Sequence, residues 1–287
     1  MPSHPQALDA VEYVLIAVGV AIWLIGAVRS RGRWRSFLHF APFPQHRFSA
    51  LDAVVAYFLL VSIGTLAASA WMTATAPTSA PASAPSSAPA TLDPAVSAAA
   101  NVVAAAVASA FMIAVARGRV AGGLPAWGLT RLPVAPTAAR VTLAYLAVWP
   151  ACAGLLLAGK WLIPRLAPGY EVHDHPTLEL LRHASGGALP LLVISAVLAA
   201  PISEELLFRG LILNLLHRAT GSAWWAIALS GLLFGLVHAP QWETVAPLAF
   251  FGVVLGYTYA RTRSLTFAVL LHALFNARTI ASALLQG

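Results

Sequence analysis

Charge is what this chain has least of. Only 9% of its 287 residues are Asp, Glu, Lys or Arg, where soluble domains carry about 25%. With 59% hydrophobic residues and a mean hydropathy of +0.78, that scarcity excludes an ordinary soluble enzyme and points to an integral membrane protein. Cysteine is nearly missing too. A single Cys152 excludes an intramolecular disulfide and any cysteine-based metal cluster, and its apolar surroundings suit an inert buried thiol. A cleavable signal is not evident either: Asp9 and Glu12 precede the first apolar stretch and arginines follow it, so this segment reads as a retained anchor with its amino end outside.

The net charge of +7 would raise the question of nucleic acid in a soluble chain. The placement of the arginines answers it. Arg29, Arg31, Arg33, Arg35 and Arg47 fill one connection between apolar runs, Arg117, Arg119, Arg131 and Arg140 a second, and Arg261 and Arg263 a third. Short basic loops of this kind set membrane orientation and touch anionic lipid, and no nucleic-acid signature accompanies them.

A spanning helix needs about 20 largely apolar residues. Runs at 8–28, 50–72, 95–116, 139–163, 188–216, 223–239, 245–260 and 265–285 qualify, the sixth and seventh being the shortest. The expected fold is therefore all-α and polytopic, with about eight transmembrane helices around a catalytic cavity. Threaded from an outside amino terminus, it puts the three arginine-rich connections and Arg218 on the cytoplasmic side. Residues 73–94 form an Ala/Pro/Ser tract without Lys or Arg, expected to be a disordered exterior linker. It separates two amino-terminal helices (1–72) from a core at 95–287. The 164–187 segment holds His173, His175 and His183 with Glu171 and Asp174; an exterior loop with incidental histidines is the preferred reading over a metal site.

Within the apolar spans few polar side chains remain: Asn101, Glu204, Glu205, Arg209, Asn214, His238, His272 and Asn276. Ionisable groups in hydrocarbon are costly and mark function. Adjacent helix residues point about 100° apart, so Glu204 and Glu205 cannot serve one site equally. Arg209 follows Glu205 by four residues, the order that favours an ion pair on one face and frees Glu204 for a cavity. Phe234 lies one turn before His238, where it can wall a pocket beside the imidazole. His272 and Asn276, also one turn apart, can donate two hydrogen bonds to one oxygen, or can simply tie helices together. At 1.5 Å per residue, His238 lies about 23 Å, Glu204 about 18 Å and Asn276 about 16 Å from the inner ends of their helices. All can meet in the inner half of the membrane, in a cavity open to the cytoplasm.

Glu-Glu-x-x-x-Arg (Glu204, Glu205, Arg209), then Phe-x-x-x-His (Phe234, His238), then His-x-x-x-Asn (His272, Asn276) on successive hydrophobic helices resembles the CPBP family. These are the type II CAAX prenyl endopeptidases, with prokaryotic relatives and bacteriocin-processing or immunity proteins of the Abi group. The resemblance covers roughly residues 120–285, and Trp127-Gly128-Leu129 is similar to the family as well. It implies an intramembrane endopeptidase acting on membrane-associated or prenylated proteins or peptides in the lipid bilayer. Glu204 and His238 would activate water, and His272 and Asn276 would stabilise the oxyanion. Glu205, Arg209 and Phe234 would support them. A metal is not favoured, since HExxH is missing; Zn²⁺ on Glu204, His238 and His272 stays open, the family often being labelled metalloprotease. A non-proteolytic immunity or scaffold protein of the same fold is the main alternative, and a transporter the lesser one. High Ala and Arg suggest a high-GC bacterium, and hence its inner membrane.

Overall fold

Hydrocarbon offers backbone polar groups no partners but each other, so long apolar runs fold as helices. The computed structural model describes residues 4–29, 39–75, 93–172, 180–181, 184, 186–239 and 241–286. In chain order the helices are α1 (His4–Arg29), α2 (Ala50–Thr75), α3 (Pro94–Arg119), the short α4 (Gly123–Trp127) and α5 (Val134–Leu166). Then come α6 (Ala188–Thr220), α7 (Ala223–Leu236), α8 (Trp242–Thr262) and α9 (Leu265–Gln286). No strand occurs among the described residues, only an isolated bridge between His46 and Val120. The protein is all-α and polytopic. Five helices are long and apolar enough to cross a membrane, namely α1, α3, α5, α6 and α9, while α2 and α7 hold shorter apolar stretches, Ala50–Leu66 and Ala223–Leu236.

Each predicted run is helical, with shifted ends for local reasons. Asp93 caps α3 by accepting from the Ala95 amide at 2.7 Å, and Pro94 fills the first helical position. The chain therefore becomes helical at Pro94, the last residue of the predicted linker; most of that tract, 76–92, lies outside the described residues. α6 runs four residues beyond its predicted end, to Thr220, where Gly221 with a φ of 66° caps it, and Ser222 starts α7. α7 stops at Leu236 instead of 239, so His238 sits in the turn that follows. The His173, Asp174, His175 and His183 cluster also lies outside the described residues.

Two packing devices place the site. Gly231 and Gly235 on α7 cross Gly252 on α8, a small-xxx-small contact: a Cβ on Gly235 would lie 2.5 Å from the Val245 carbonyl oxygen, and one on Gly252 2.9 Å from Gly231 Cα. In α6 the regular hydrogen-bond ladder gives way to wider π turns at Ser195–Ala199 and Leu206–Ile212, either side of the glutamates. Backbone carbonyls of these turns accept from other side chains: Ala196 from Asn276 Nδ2 at 2.8 Å, Phe208 from Ser230 Oγ at 3.2 Å, and Gly210 from Trp127 Nε1 and Asn214 Nδ2, both at 2.8 Å. Several polar residues in the spans thus have a backbone to satisfy.

At one end of the bundle the 39–49 segment ties the helix termini together. Arg218 Nη2 donates to the Phe48 carbonyl at 2.7 Å, Arg119 Nη1 to Asp52 Oδ2 at 2.6 Å, and Arg263 Nη2 to the Ala41 carbonyl at 2.8 Å. Arg261 bonds the His39 carbonyl, and the Arg47 amide donates to the Arg119 carbonyl at 2.8 Å. Arginines from all three basic connections therefore gather at one end. Arg263 carries the unusual φ of +52° that closes the α8–α9 turn, held by stacking on Phe43 at 3.5 Å.

Candidate active site

The two glutamates occupy different environments, as the helix geometry requires. Glu205 is fully buried. Its Oε1 accepts from Arg209 Nη1 at 2.6 Å, one turn along α6, and from His272 Nδ1 of α9 at 2.9 Å. Arg209 is equally buried, and its Nη2 donates to the Gly252 carbonyl of α8 at 3.0 Å. Glu204 keeps 22% of its side chain exposed and presents Oε2 to His272 Nε2 at 3.7 Å. One imidazole therefore bridges both carboxylates, each nitrogen facing a different glutamate. The gap on the Glu205 side is a hydrogen bond; the gap on the Glu204 side is wide enough to ask for a bridging water.

Phe234 is the hub of the second half of the site. Its buried ring packs edge-on against His238 at 5.2 Å and His272 at 5.5 Å, and the Arg209 guanidinium lies over it at 4.7 Å. It lies beside the imidazole of His238, one turn further along the chain. Phe251 closes the other side of His272 at 5.6 Å. His238 Nδ1 donates to the Phe234 carbonyl at 2.8 Å. A carbonyl and an ionised carboxylate only accept, so Nδ1 carries the hydrogen in both rings. In either neutral imidazole Nε2 is then a bare lone pair.

The structure unites Glu204, Glu205, Arg209, His272 and Phe234 directly, joins His238 through Phe234, and brings Asn276 to the same helix as the glutamates. It does not aim His272 and Asn276 at one shared oxygen. Nδ1 of His272 is taken by Glu205, and one Asn276 N–H is given to Ala196, leaving that amide one further N–H. Nor does it group Glu204, His238 and His272 as zinc ligands. Among the described residues no three His, Cys, Asp or Glu side chains are arranged to hold a metal ion, and both imidazoles pack edge-on to Phe234. The donor set does not fit a zinc triad.

Glu204 lines a cavity of about 220 Å³, with Leu60 of α2, Asn101 and Ala105 of α3, and Ser195, Ala196, Ala200 and Ser203 of α6. One water needs about 10–15 Å³ of such space, so the carboxylate opens onto room for several waters or a stretch of chain. The α2 and α3 side of this cavity escaped the motif reading. Its only trace in the sequence was Asn101, a lone carboxamide in an alanine-rich helix.

Residues 186–278 match the family model described as Type II CAAX prenyl endopeptidase Rce1-like. The match spans the glutamate pair, both histidines and Asn276. The chain is also similar to a candidate membrane peptidase, YdiL, of Bacillus subtilis (strain 168), 32% identical over 89 residues, which are 31% of this chain. The aligned part spans 36% of that relative's length. No solved structure matches.

Proposed function

We propose that this protein is an intramembrane endopeptidase that hydrolyses a peptide bond with a water held between Glu204 and His272. The observation that carries the reading is the relay Arg209–Glu205–His272–Glu204, which ends at the wall of a cavity inside an apolar bundle. The match of residues 186–278 to a prenyl endopeptidase family supports the reaction class.

In this mechanism Glu205 fixes the His272 ring through Nδ1, and Arg209 balances the Glu205 charge. Nε2 accepts one hydrogen bond from the water, and Glu204 takes a proton from it as the oxygen attacks the scissile carbonyl carbon. The C–N bond then breaks, and Glu204 returns that proton to the leaving amine. The free N–H of Asn276 is the neutral donor for the developing oxyanion. His238, with a bare Nε2, assists proton transfer from across Phe234. His272 is therefore assigned to the water, where the motif order alone assigned His238. No step uses a metal ion.

The substrates are membrane-associated segments, and prenylated CAAX-type chains belong in the panel tried. The arginine-bearing end is taken as cytoplasmic, in a bacterial inner membrane. The test is cleavage of membrane peptides by the purified protein in proteoliposomes, wild type against Glu204→Gln. Loss of a general base should cost about 10²–10⁴-fold in kcat with the melting temperature kept. Equal turnover in both proteins sinks the reading.

A further inference from the structure

We propose that Asn101 grips the main chain of the substrate, from a wall that α2 and α3 build opposite Glu204; the proposal rests on the peptidase reading above. α3 is lined with small apolar residues, Ala98, Ala100, Ala104, Ala105 and Ala108 all being buried. Asn101 stands among them with its carboxamide exposed on the cavity that Glu204 also lines. Among the described residues this amide has no hydrogen-bond partner. An exposed carboxamide that opens onto a cavity in an apolar bundle, with no partner among the described residues, is placed to pair with what enters that cavity.

Three further features fit that ligand to an extended peptide. The carboxamide offers a donor and an acceptor side by side, the complement of one peptide unit's C=O and N–H. A chain brought into an apolar site has lost water from those two groups and needs partners for them. Ser195 Oγ lines the same cavity and also makes no hydrogen bond among the described residues, whereas Ser203 Oγ is tied back to Ala199 and Ala200 at 3.0 Å. The space itself comes from short side chains at Ala105, Ala196 and Ala200. On α2, a Cβ at Gly64 would lie 3.2 Å from Asn101 Oδ1, so glycine there leaves the amide its room. The amino-terminal helices, which none of the three motifs covers, thus form one side of the substrate channel.

The test compares wild type and Asn101→Ala on a cleaved peptide and on its analogue with one amide near the scissile bond replaced by an ester. Asn101→Ala should raise KM by about 10- to 100-fold and keep kcat within about threefold. The ester should penalise the wild type and leave Asn101→Ala unaffected at the position that Asn101 contacts. An unchanged KM, a fall confined to kcat, or equal ester penalties in both proteins overturns the proposal. Ala105→Phe, which fills the cavity from the same helix, should also raise KM, and melting temperatures show that both variants fold. Peptide binding to Glu204→Gln with and without Asn101→Ala supplies the same comparison with no turnover. A wild type that cleaves nothing therefore refutes the peptidase reading, and the binding arm still decides the role of Asn101.

Discussion

Removing the Glu205 charge should damage stability and chemistry by separable routes. In Glu205→Gln the buried Arg209 keeps its charge and its bond to the Gly252 carbonyl, and loses the carboxylate 2.6 Å away. Stripping one partner from a buried pair costs about 3–5 kcal/mol, a large part of the ~5–15 kcal/mol that holds a typical fold. The same substitution replaces the anion that orients His272 Nδ1 by a neutral amide. Loss of a histidine's orienting carboxylate costs between about 10²- and 10⁴-fold in turnover. The double variant Glu205→Leu with Arg209→Met separates the two effects. Replacing a whole buried pair by apolar side chains is often neutral or better, less about 1 kcal/mol for the lost Gly252 bond. Its melting temperature in detergent should return close to wild type, while peptide cleavage stays at the level of the single variant. If cleavage recovers along with the melting temperature, Glu205 stabilises the fold and does not orient His272. If Glu205→Gln melts like wild type, the charge on Arg209 is not buried as the structure has it.

Gly235→Ala should lower the melting temperature by an amount equivalent to about 1–3 kcal/mol, because its Cβ meets the Val245 carbonyl oxygen at 2.5 Å; an unchanged melt would mean that α7 and α8 do not cross there. Burial holds the His46 imidazole below its ordinary 6.5, the Arg218 and His217 charges add to this, and the bond to the Asn214 carbonyl opposes it. The native ring therefore binds a proton less readily than the unfolded chain, so stability is full above 6.5 and declines as pH falls below it. His46→Gln should make the loss of melting temperature between about pH 7.5 and pH 5.5 shallower, and an identical loss refutes the assignment. Exhaustive chelation, checked by elemental analysis, should leave peptide turnover intact; activity that vanishes and returns with Zn²⁺ would overturn the metal-independent mechanism.

The helices were legible because hydropathy reports burial in lipid directly. The Glu205–Arg209 pair was legible because a spacing of four is a local property of a helix. The partner of Glu204 was not. Which histidine meets it depends on the approach of α9 to α6, and that approach depends on π turns whose positions no residue pattern announces. The pattern announced a consequence instead. Asn276 and Asn214 looked like intramembrane polar groups in search of a function, and each proves to satisfy a carbonyl of those turns, as does Ser230. The Gly-x-x-x-Gly spacings at Gly231 and Gly235 and at Gly252 and Gly256 are marks of close helix approach that the motif reading passed over.

Asn101 makes the opposite case, and the contrast sharpens how intramembrane polarity should be read. Asn214 and Asn276 cost little, because backbone acceptors freed by the π turns wait for them. Asn101 sits on a helix with a regular ladder, faces a cavity, and pairs with nothing described. A polar side chain that repairs its own fold can be exchanged for another donor of similar reach at modest cost. One that is left unpaired beside a carboxylate is kept for what enters the cavity. On that argument Asn276→Ala should lower the melting temperature as well as turnover, since it strands the Ala196 carbonyl. Asn101→Ala should hold or raise the melting temperature while KM rises. Parallel melts and kinetics on the two variants decide it, and matching behaviour in both would break the distinction.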